Sequence, residues 1–540
     1  MNQAELSTRL EAGLAPPPSY YRDNCTAALE FVFQHYKDML PQSILGQLAA
    51  YTECSLDAQR LFARLLTRKG PFYRLDSLDY EELDDKSGAI EELLQKRLVD
   101  RRAGPADRLL GLTTKKEMLA LWPQLDGRER KDLQIAALLS HYTDRQIAFK
   151  VREFCPYIKV SEEKTWKQIQ LLYFGNEMQG WSEFVIRDLG LSKFESPAGL
   201  SKQFENNDQL STHFTLTDLV FYSYRLDEFP NCVDILIARL RVSTDNLVSE
   251  RKRIKALNRI GRWCEKNNAF TSGLQAYSLV RQHPARERMA RICHKAGNIQ
   301  RRDSLLRAIR DEPYCEEEQQ FVQRFGKRNA GYAPATSTIT ISKIEGSIEQ
   351  TILDKLTEKR GWGLHCENSL LRSLAGLAYW EVIYAPVQGA FTNPFQAWPH
   401  DLHEPDFSVV RSKQIESLEQ RIVDDEQLKN HLVSVCNDKK GTMTNMVSWG
   451  LFRDISVEDY VEAIGPKILR RLMVYLIRHL HSRRKGFPDL FVSYGKGVSE
   501  FVEIKGPGDQ LSLSQRVWLQ QLESMDISAR VIRVKVLGKT

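Results

Sequence analysis

Two acidic residues and a lysine near the end of the sequence have the types and spacing of a hydrolytic site. Asp489 opens one short apolar stretch, and Glu503 and Lys505 close the next. The glycines on either side of Lys496 predict a tight hairpin turn, because glycine adopts the positive φ angles that such turns need. Lys496 is midway between Asp489 and Glu503, so an unbulged hairpin places the two acids opposite each other, roughly 5 Å apart. Glu503 and Lys505 then share one face of their strand.

Two carboxylates and an ammonium group at one sheet edge suit the hydrolysis of a phosphodiester bond. Carboxylate oxygens hold a hard divalent cation, which activates water and stabilises the charge that develops at phosphorus. A lysine donates to the phosphate or orients the attacking water. The spacing by itself also fits an ordinary hairpin with solvated charges at its ends, because Glu-x-Lys is a common accidental pattern. The surrounding residues decide between these two interpretations.

The residues around the hairpin resemble the VRR-NUC domain, a branch of the PD-(D/E)xK nuclease superfamily. The matching runs are Gly-x-Pro-Asp-Leu at 486–490 and Val-Glu-Ile-Lys-Gly-Pro-x-Asp-x-Leu at 502–511. A helix is predicted next, with Ser512 or Ser514 as its N-cap. Gln515, near the start of that helix, matches an active-site glutamine of the domain. The resemblance therefore implies a role in the site for Gln515, against the alternative of an exposed helical amide.

The resemblance extends upstream to a predicted apolar helix that runs from residue 365 to about Tyr384. Its leucines and alanines between 370 and 378 recur at helical spacing. Glu367 lies on the same stripe, one turn earlier. It is therefore either a buried carboxylate that needs a partner or a first-turn glutamate stabilised by the helix dipole.

The order of the motifs is similar to that of the Fanconi-associated nuclease family, structure-specific DNA repair enzymes that end in a VRR-NUC domain. Further runs in the same order lie at 393–402, 447–452 and 464–469. On this resemblance the chain is identified as a member of the family, and the family's fold and activity become expectations for it.

The resemblance implies a metal-dependent DNA nuclease with one or two Mg²⁺ or Mn²⁺ ions. It implies 5′ flap cleavage with 5′-to-3′ exonuclease activity, in interstrand crosslink repair, and branched or flapped double-stranded DNA as the partner. Lys505 would be the catalytic lysine, and Gln515 would support the site. The implied metal ligands are Glu367, Asp489, Glu503 and the main-chain carbonyl of Ile504.

The predicted fold is multidomain, with mainly α-helical N-terminal and TPR-like regions followed by an α/β nuclease domain. Helical periodicity covers 20–68, 78–98 and 169–325, whereas Ile-Thr-Ile at 339–341 is typical of a strand. The family resemblance implies that the first region is winged-helix-like and the second SAP-like. The predicted regions are a helical N-terminal DNA-binding region (1–105), a SAP-like helical module (106–145), a TPR-like helical region (146–328) and the VRR-NUC nuclease domain (329–540).

Composition excludes several classes of protein. Of the 540 residues, 42% are hydrophobic, enough for sizeable cores. No apolar run is long enough to span a bilayer and no secretory signal is visible, so we expect no membrane partner and a cytoplasmic location, or a nuclear one in a eukaryote. The nine cysteines include no Cys-x-x-Cys pair, which argues against a zinc ribbon. The ubiquitin-binding zinc finger of eukaryotic relatives is therefore not expected, and with the modest length this suggests a bacterial member.

The formal net charge is only +6, so the distribution of basic residues matters more than their sum. Basic clusters could contact backbone phosphates, but such runs are also typical of solvated helix faces. The cluster that leads directly into the Pro-Asp motif is the strongest candidate for DNA contact. The clusters lie at 67–74, 251–255, 281–302 and 467–485.

Two other functions remain open from the residues alone. A non-catalytic DNA-binding adaptor would need a decayed nuclease site, but every expected acid and the lysine are present. A Holliday-junction resolvase would be dimeric, like stand-alone VRR-NUC proteins, and would nick four-way junctions symmetrically. The histidines and acids at 400–404 lack the spacing of a zinc protease, and we interpret them as a loop rather than as a metal site.

Overall fold

The computed structural model describes residues 20–176, 179–182, 193–197, 199–325, 332–342, 346–358, 361–495 and 497–536. The chain divides into two compact units. Among the described residues, no helix is both long and apolar enough to cross a membrane. The first unit comprises Met1–Phe194 with Thr392–Gln396, and the second comprises Glu195–Phe391 with Ala397–Thr540.

The first unit is built from helices and three short strands. The helices between Tyr20 and Thr67 confirm the helical prediction for that stretch. The helix predicted over 78–98 is shorter, because the Asp85 carboxylate accepts from the Gly88 amide and begins the helix there. The elements are α1 (Tyr20–Tyr36), α2 (Gln42–Thr52), α3 (Leu56–Thr67), β1 (Phe72–Arg74), α4 (Lys86–Gln95), β2 (Val99–Asp100), α5 (Ala106–Gly111), α6 (Lys115–Leu121), α7 (Lys131–His141), α8 (Asp144–Phe154), β3 (Tyr157–Val160) and α9 (Glu163–Phe174).

The three strands of the first unit form a small antiparallel sheet in the order β1-β3-β2. Helices α5 to α8 pack around the buried side chains of Met118 and Trp122. Thr114 begins α6 with a capping box, in which its hydroxyl and the Glu117 carboxylate each bond the other's backbone amide. The first unit thus combines short capped helices with a small sheet.

The second unit begins with helices that each pack on a neighbour close in sequence. Their common core contains Ala256, Leu257, Ile260, Ala276 and Tyr277. From Asn207 to Arg324 this arrangement bears out the helical prediction made for 169–325, but the described residues between 193 and 206 contain no helix. The likeness to tetratricopeptide pairs stays a prediction. The helices are α10 (Asn207–Tyr224), α11 (Val233–Arg239), α12 (Leu247–Lys266), α13 (Phe270–Ser278), α14 (Ala285–Lys295), α15 (Ile299–Asp311) and α16 (Glu316–Arg324).

The remainder of the second unit is an α/β arrangement around one five-stranded mixed sheet. The strand predicted at 339–341 is confirmed within β4. The elements are β4 (Thr336–Ile341), α17 (Ile348–Thr357), β5 (Trp362–His365), α18 (Ser369–Ala378), α19 (Trp380–Ile383), α20 (Phe407–Val410), α21 (Ser412–Arg421), α22 (Asp425–Lys439), α23 (Val457–Ile464), α24 (Pro466–Arg478), α25 (Leu480–Arg483), β6 (Leu490–Gly495), β7 (Val498–Lys505), α26 (Leu513–Ser524) and β8 (Ala529–Val536).

The strand order of this sheet is β4-β8-β7-β6-β5. Strands β4 and β7 run parallel to β8, whereas β6 runs antiparallel to both β7 and β5. The β6-β7 hairpin keeps one register from Leu490 opposite Val502 to Ser493 opposite Ser499, and it shifts only beside the turn. The predicted hairpin register is therefore confirmed, with a bulge confined to the end away from Asp489.

The two faces of the sheet pack against different helices. On one face, Leu490, Val492, Val502 and Ile504 pack with Ile352 of α17 and its neighbours. Alternation sends the intervening residues of β6 and β7 to the other face, where the core is shared with α18, α24 and α26. Asp489 and Glu503 belong to that second face, so the acids open toward α18 and α26.

Candidate active site

The two acids of the hairpin lie at the end of β6 and β7 that is farthest from the turn. Continuing the register beyond the Leu490–Val502 pair places Asp489 opposite Glu503, as the sequence predicts. The backbone amide of Ile504 donates to Asp489 Oδ2 over 2.8 Å. That bond fixes one carboxylate oxygen of Asp489 against β7. The role predicted for the Ile504 carbonyl stays a prediction.

Glu367 reaches the same edge from a connection, not from a helix. The helix predicted to begin at 365 begins at Ser369, and β5 ends at His365. The amides of Cys366 and Glu367 both donate to the main-chain carbonyl of Asp489, over 2.9 and 3.0 Å. This holds Glu367 at φ 37°, in the left-handed region that is uncommon for residues other than glycine. The expectation that Glu367 lies on a buried helical stripe is wrong, since its side chain is 59% exposed.

Glu503 is the most buried acid of the site, with a residue exposure of 0%. Its Oε1 is 2.7 Å from the Lys505 ammonium and accepts a hydrogen bond from the Gln515 side chain. Its Oε2 is buried and has no hydrogen-bond partner among the described residues. A buried carboxylate oxygen without a partner is costly, so this oxygen is free to bind a cation.

Gln515 performs two tasks from the start of α26. Ser512, one of the two serines predicted as candidates, is the N-cap of that helix and forms a capping box with Gln515. The Gln515 Oε1 accepts from the Ser512 amide over 2.9 Å, which leaves Nε2 to donate to Glu503. The helix cap therefore orients the amide that holds Glu503.

Burial and crowding of negative charge dominate the electrostatics of the site. Burial raises the pKa of Asp489, and the nearby Glu367 charge adds to this, while the Ile504 amide and Lys505 oppose it. Burial and the Asp489 charge together raise the pKa of Glu503 to about 7, although Lys505 lowers it. One lysine therefore does not balance three carboxylates, and the ionised form of the site is disfavoured without a further cation.

The donor set fits a divalent metal ion. One ligand atom each of His365, Glu367 and Asp489 lie within 4.8 Å of one another. Glu503 is not one of these three residues, but it lies opposite Asp489 on β7 and its Oε2 has no hydrogen-bond partner among the described residues. Carboxylate oxygens are the ligands that hard divalent cations prefer.

His365 belongs to this group although the sequence did not single it out as a ligand. Its Nε2 is 3.7 Å from Glu367 Oε1. The preceding strand pairs with β6, with His365 opposite Leu490, and this pairing brings the imidazole to the acid edge. In the sequence, the only indication of this role is that His365 lies two residues before the proposed ligand Glu367. The pairing of β5 with β6 is what shows that the imidazole reaches the acid edge.

Comparison with known proteins adds two domain matches. The FAN1, HTH domain matches residues 19–100, and the VRR-NUC domain matches residues 423–536. The second match contains Asp489, Glu503, Lys505 and Gln515. A VRR-NUC domain implies the use of a divalent metal.

Similarity to whole relatives extends well beyond these two domains. A Fanconi-associated nuclease 1 homolog of Pseudomonas aeruginosa is 28% identical over 543 residues, covering 96% of each chain. The chain belongs to the Fanconi-associated nuclease family. A homolog of Arabidopsis thaliana is 23% identical over 96% of this chain and 67% of its own. Fanconi-associated nuclease 1 of Homo sapiens is 30% identical over 33% of this chain and 18% of its own.

Solved structures of the family have the same fold. The structure of paFAN1 bound to 2nt 5′flap DNA with gap matches with a TM-score of 0.87, at 28% identity, over 97% of this chain and 100% of that one. The structure of paFAN1 bound to 1nt 5′flap DNA with gap matches with a TM-score of 0.83, at 26% identity and the same coverage. This family member is thus a nuclease with helical regions ahead of an α/β catalytic domain.

The other sequence candidate for a metal site, at 400–404, is structural. Arg411 is fully buried and pairs with Asp401. Burial lowers the pKa of His400 to about 4, so its imidazole is neutral near pH 7. Among the described residues, the cluster of His, Cys, Asp and Glu that could hold a metal lies at His365, Glu367 and Asp489. The loop interpretation of 400–404 is confirmed.

Proposed function

We propose that this chain is a divalent-metal-dependent, structure-specific DNA endonuclease that cuts 5′ flaps. We further propose 5′-to-3′ exonuclease activity and a role in interstrand crosslink repair, as the family resemblance implies. The observation that carries the proposal is the fully buried Glu503, which lies opposite Asp489 and whose Oε2 has no hydrogen-bond partner among the described residues.

The residues have separate tasks in hydrolysis. Glu367, Asp489 and Glu503 would hold Mg²⁺ or Mn²⁺, one ion or two, with the Ile504 carbonyl as a further ligand. When bound, the cation supplies Lewis-acid activation of water and stabilisation of charge at phosphorus. His365 lies within reach of the same position.

Lys505 and Gln515 act on the carboxylates and on the substrate. The Lys505 ammonium has three donors, and the contact with Glu503 uses one of them. The others are available for a phosphate oxygen, so Lys505 would offset the charge that develops during the reaction. Gln515 would keep Glu503 in one orientation through its amide.

The choice of flapped DNA as substrate rests on the relatives. Both solved structures described above are of paFAN1 bound to 5′flap DNA with gap, and their fold covers nearly all of this chain. We therefore propose branched or flapped duplex DNA as the partner.

Cleavage of labelled DNA tests the proposal. End-labelled 5′ flap, 3′ flap and four-way junction substrates are incubated with Mn²⁺, Mg²⁺ or EDTA. The protein is wild type, Asp489→Asn or the control Asp438→Asn, which removes an exposed carboxylate of α22, a helix that supplies none of the proposed ligands.

We expect metal-dependent cutting near the 5′ flap junction, which is lost in Asp489→Asn and kept in Asp438→Asn. Symmetrical nicks in the four-way junction alone would favour a resolvase. Tight binding without cutting would favour a non-catalytic adaptor, and full activity of Asp489→Asn would contradict the assigned site.

A further inference from the structure

A cavity of about 560 Å³ adjoins the acid edge in the second unit. His365 and Glu367 line one part of it, and Arg372, Arg484 and Lys485 line another. Among the described residues that line this cavity, Glu367 is the one carboxylate. The cavity therefore joins the proposed metal position to a group of cations.

The structure separates the basic run before the Pro-Asp motif into two classes. Most of its arginines are engaged in the fold, whereas Arg484 and Lys485 have no ion pair among the described residues. Arg484 is half-buried and Lys485 is exposed. Two of the engaged arginines donate to main-chain carbonyls: Arg470 to those of Ile422 and Asp424, and Arg471 to that of Met525. The other two form ion pairs: Arg478 with Glu419, and Arg483 with Glu317.

Arg372 is the third cation that lines the cavity. It lies on α18, one turn after the connection that carries Glu367. Its Nε is buried and has no hydrogen-bond partner among the described residues, and its side chain has no ion pair there. Burial lowers the pKa of Arg372, and the charge of Arg484 lowers it further. Two guanidinium groups therefore line one cavity close enough for their charges to interact, and neither has an ion pair among the described residues.

The remaining neighbours do not neutralise these cations. Burial lowers the pKa of His403 to about 4, and the charges of Arg484, Arg372 and His481 act in the same direction. His403 is therefore neutral near pH 7, and its Nδ1 is buried without a hydrogen-bond partner among the described residues. Asn445 is uncharged. The arginine end of the cavity thus has positive charge and buried donors but, among the described residues that line it, no acidic side chain.

Half-buried cations that face one another are destabilising unless an anion is bound. Guanidinium groups present planar pairs of donors that match the oxygens of a phosphate. In a nuclease, successive phosphates of the same strand provide such anions at a regular spacing. A phosphate next to the one that is cut can therefore occupy the arginine end while the cut phosphate lies at the acid end.

We propose that Arg372 and Arg484 bind the backbone phosphate that neighbours the scissile one and so position the strand for cleavage. This rests on the proposed function, because it assumes that the acid edge cuts DNA. Arg372 and Arg484 are positioning residues here, and Lys485 lies at the exposed rim of the same subsite.

Neutral methylphosphonate linkages test this proposal. A series of 5′ flap substrates carries one such linkage at each position flanking the cleavage site. Cleavage is measured for wild type, Arg372→Gln, Arg484→Gln, the double variant and the control Arg421→Gln, an exposed arginine paired with Glu381 on the surface.

We expect each cavity variant to lower kcat/KM on unmodified DNA by about ten- to a hundredfold, with Arg421→Gln near wild type. At one position only, the methylphosphonate should lower kcat/KM of wild type by about the same factor as the arginine variants do. At that position it should cause no further loss of kcat/KM in the double variant. Equal losses in wild type and the double variant at every position would overturn the proposal, as would variants that cut at the wild-type rate.

A binding measurement in EDTA separates this proposal from the proposed function. Fluorescence anisotropy of flapped DNA is recorded over a range of salt concentrations. The slope of the logarithm of the association constant against log salt concentration should be less steep by about 0.9 in the double variant, because one phosphate contact is lost. If the salt slope of the double variant equals that of wild type, the proposed phosphate contact is wrong, whether or not the protein cuts DNA. If the slope changes but wild type does not cut DNA, only the proposed nuclease activity is wrong.

Thermal unfolding excludes a merely structural role for the two arginines. Because they repel one another, the double variant should melt at or above the wild-type temperature in the absence of DNA. A lower melting temperature in both single variants would mean that the arginines support the fold, and this would overturn the assignment.

Discussion

Two buried groups of charged side chains in the second unit differ in how their charge is balanced. Arg411 donates to both oxygens of Asp401 and to the Val382 carbonyl, over 2.5, 3.0 and 3.0 Å. Glu503 is equally buried, but it shares a single lysine with two other acids. The first group is complete by itself, whereas the second requires a ligand from outside the chain. We therefore interpret the paired Arg411–Asp401 group as structural and the group around Glu503, whose negative charge is not balanced, as functional.

The largest expected effect is the loss of cleavage when the unbalanced group loses an acid. Glu503→Gln and Asp489→Asn should each lower kcat by about a thousandfold or more, with a melting temperature no lower than that of wild type. Gel-based cleavage of a 5′ flap in Mn²⁺ measures the first quantity, and calorimetry measures the second. If either variant kept a kcat within about tenfold of the wild-type value, the acid group would not be catalytic, and it would not differ in function from the Arg411–Asp401 group.

The balanced group should respond in the opposite way. Asp401→Asn leaves the buried Arg411 charge without its partner, and we expect a loss of about 3 kcal/mol in unfolding free energy. Denaturant titration gives this value. The protein that remains folded should cut DNA at the wild-type rate, and a selective loss of activity without a loss of stability would show that Asp401 serves the site.

The unbalanced group also predicts how stability depends on pH. The pKa of Glu503 rises from 4.5 to about 7 on folding, so the folded protein binds the proton more tightly than the unfolded chain. The resulting stability is fully present below pH 4.5 and is lost as pH rises through about 7.

In metal-free protein this amounts to about 2 kcal/mol between pH 5 and pH 8. The measurement is the difference between wild type and Glu503→Gln in denaturant titrations at the two pH values. If the unfolding free energy of the two proteins had the same pH dependence, Glu503 would be ionised at both pH values in the folded protein.

The smallest effect concerns the amide that orients Glu503. Gln515→Glu keeps an acceptor for the capping box, so α26 should stay intact, but it replaces the donor to Glu503 by another negative charge. We expect about a tenfold loss of kcat, with little change in melting temperature at pH 5, where Glu503 is protonated because its pKa is raised to about 7. Gln515→Ala is the comparison, because it also loses about 1 kcal/mol from the cap. A larger loss of stability at pH 5 in Gln515→Glu than in Gln515→Ala would contradict this division of tasks.

The sequence was sufficient where a local repeat determines the geometry. Asp489 and Glu503 are symmetric about Lys496, so the hairpin register follows from the turn glycines and from alternation. A serine cap at the start of α26 also follows from neighbouring residues, and the structure selects Ser512 from the two candidates. These predictions are confirmed because each depends on contacts between residues that are close in sequence.

Sequence reasoning failed where a distant contact overrides local preference. The stripe of leucines suggested a helix from 365, but the Asp489 carbonyl captures the amides of Cys366 and Glu367 and holds them as a turn. The same contact is what brings Glu367 and His365 to the acid edge. Arg372 was missed for a similar reason, since it lies among apolar helix residues and its importance follows only from the position of Arg484.

The most direct test is thermal unfolding of wild type and Glu503→Gln at pH 8, each with and without Mn²⁺. If the buried acids form an unbalanced cation site, metal-free Glu503→Gln melts above wild type, Mn²⁺ raises the wild-type melting temperature, and it raises that of the variant much less. If Glu503→Gln melts below wild type without metal and both proteins gain equally from Mn²⁺, Glu503 is a structural acid and the metal site lies elsewhere.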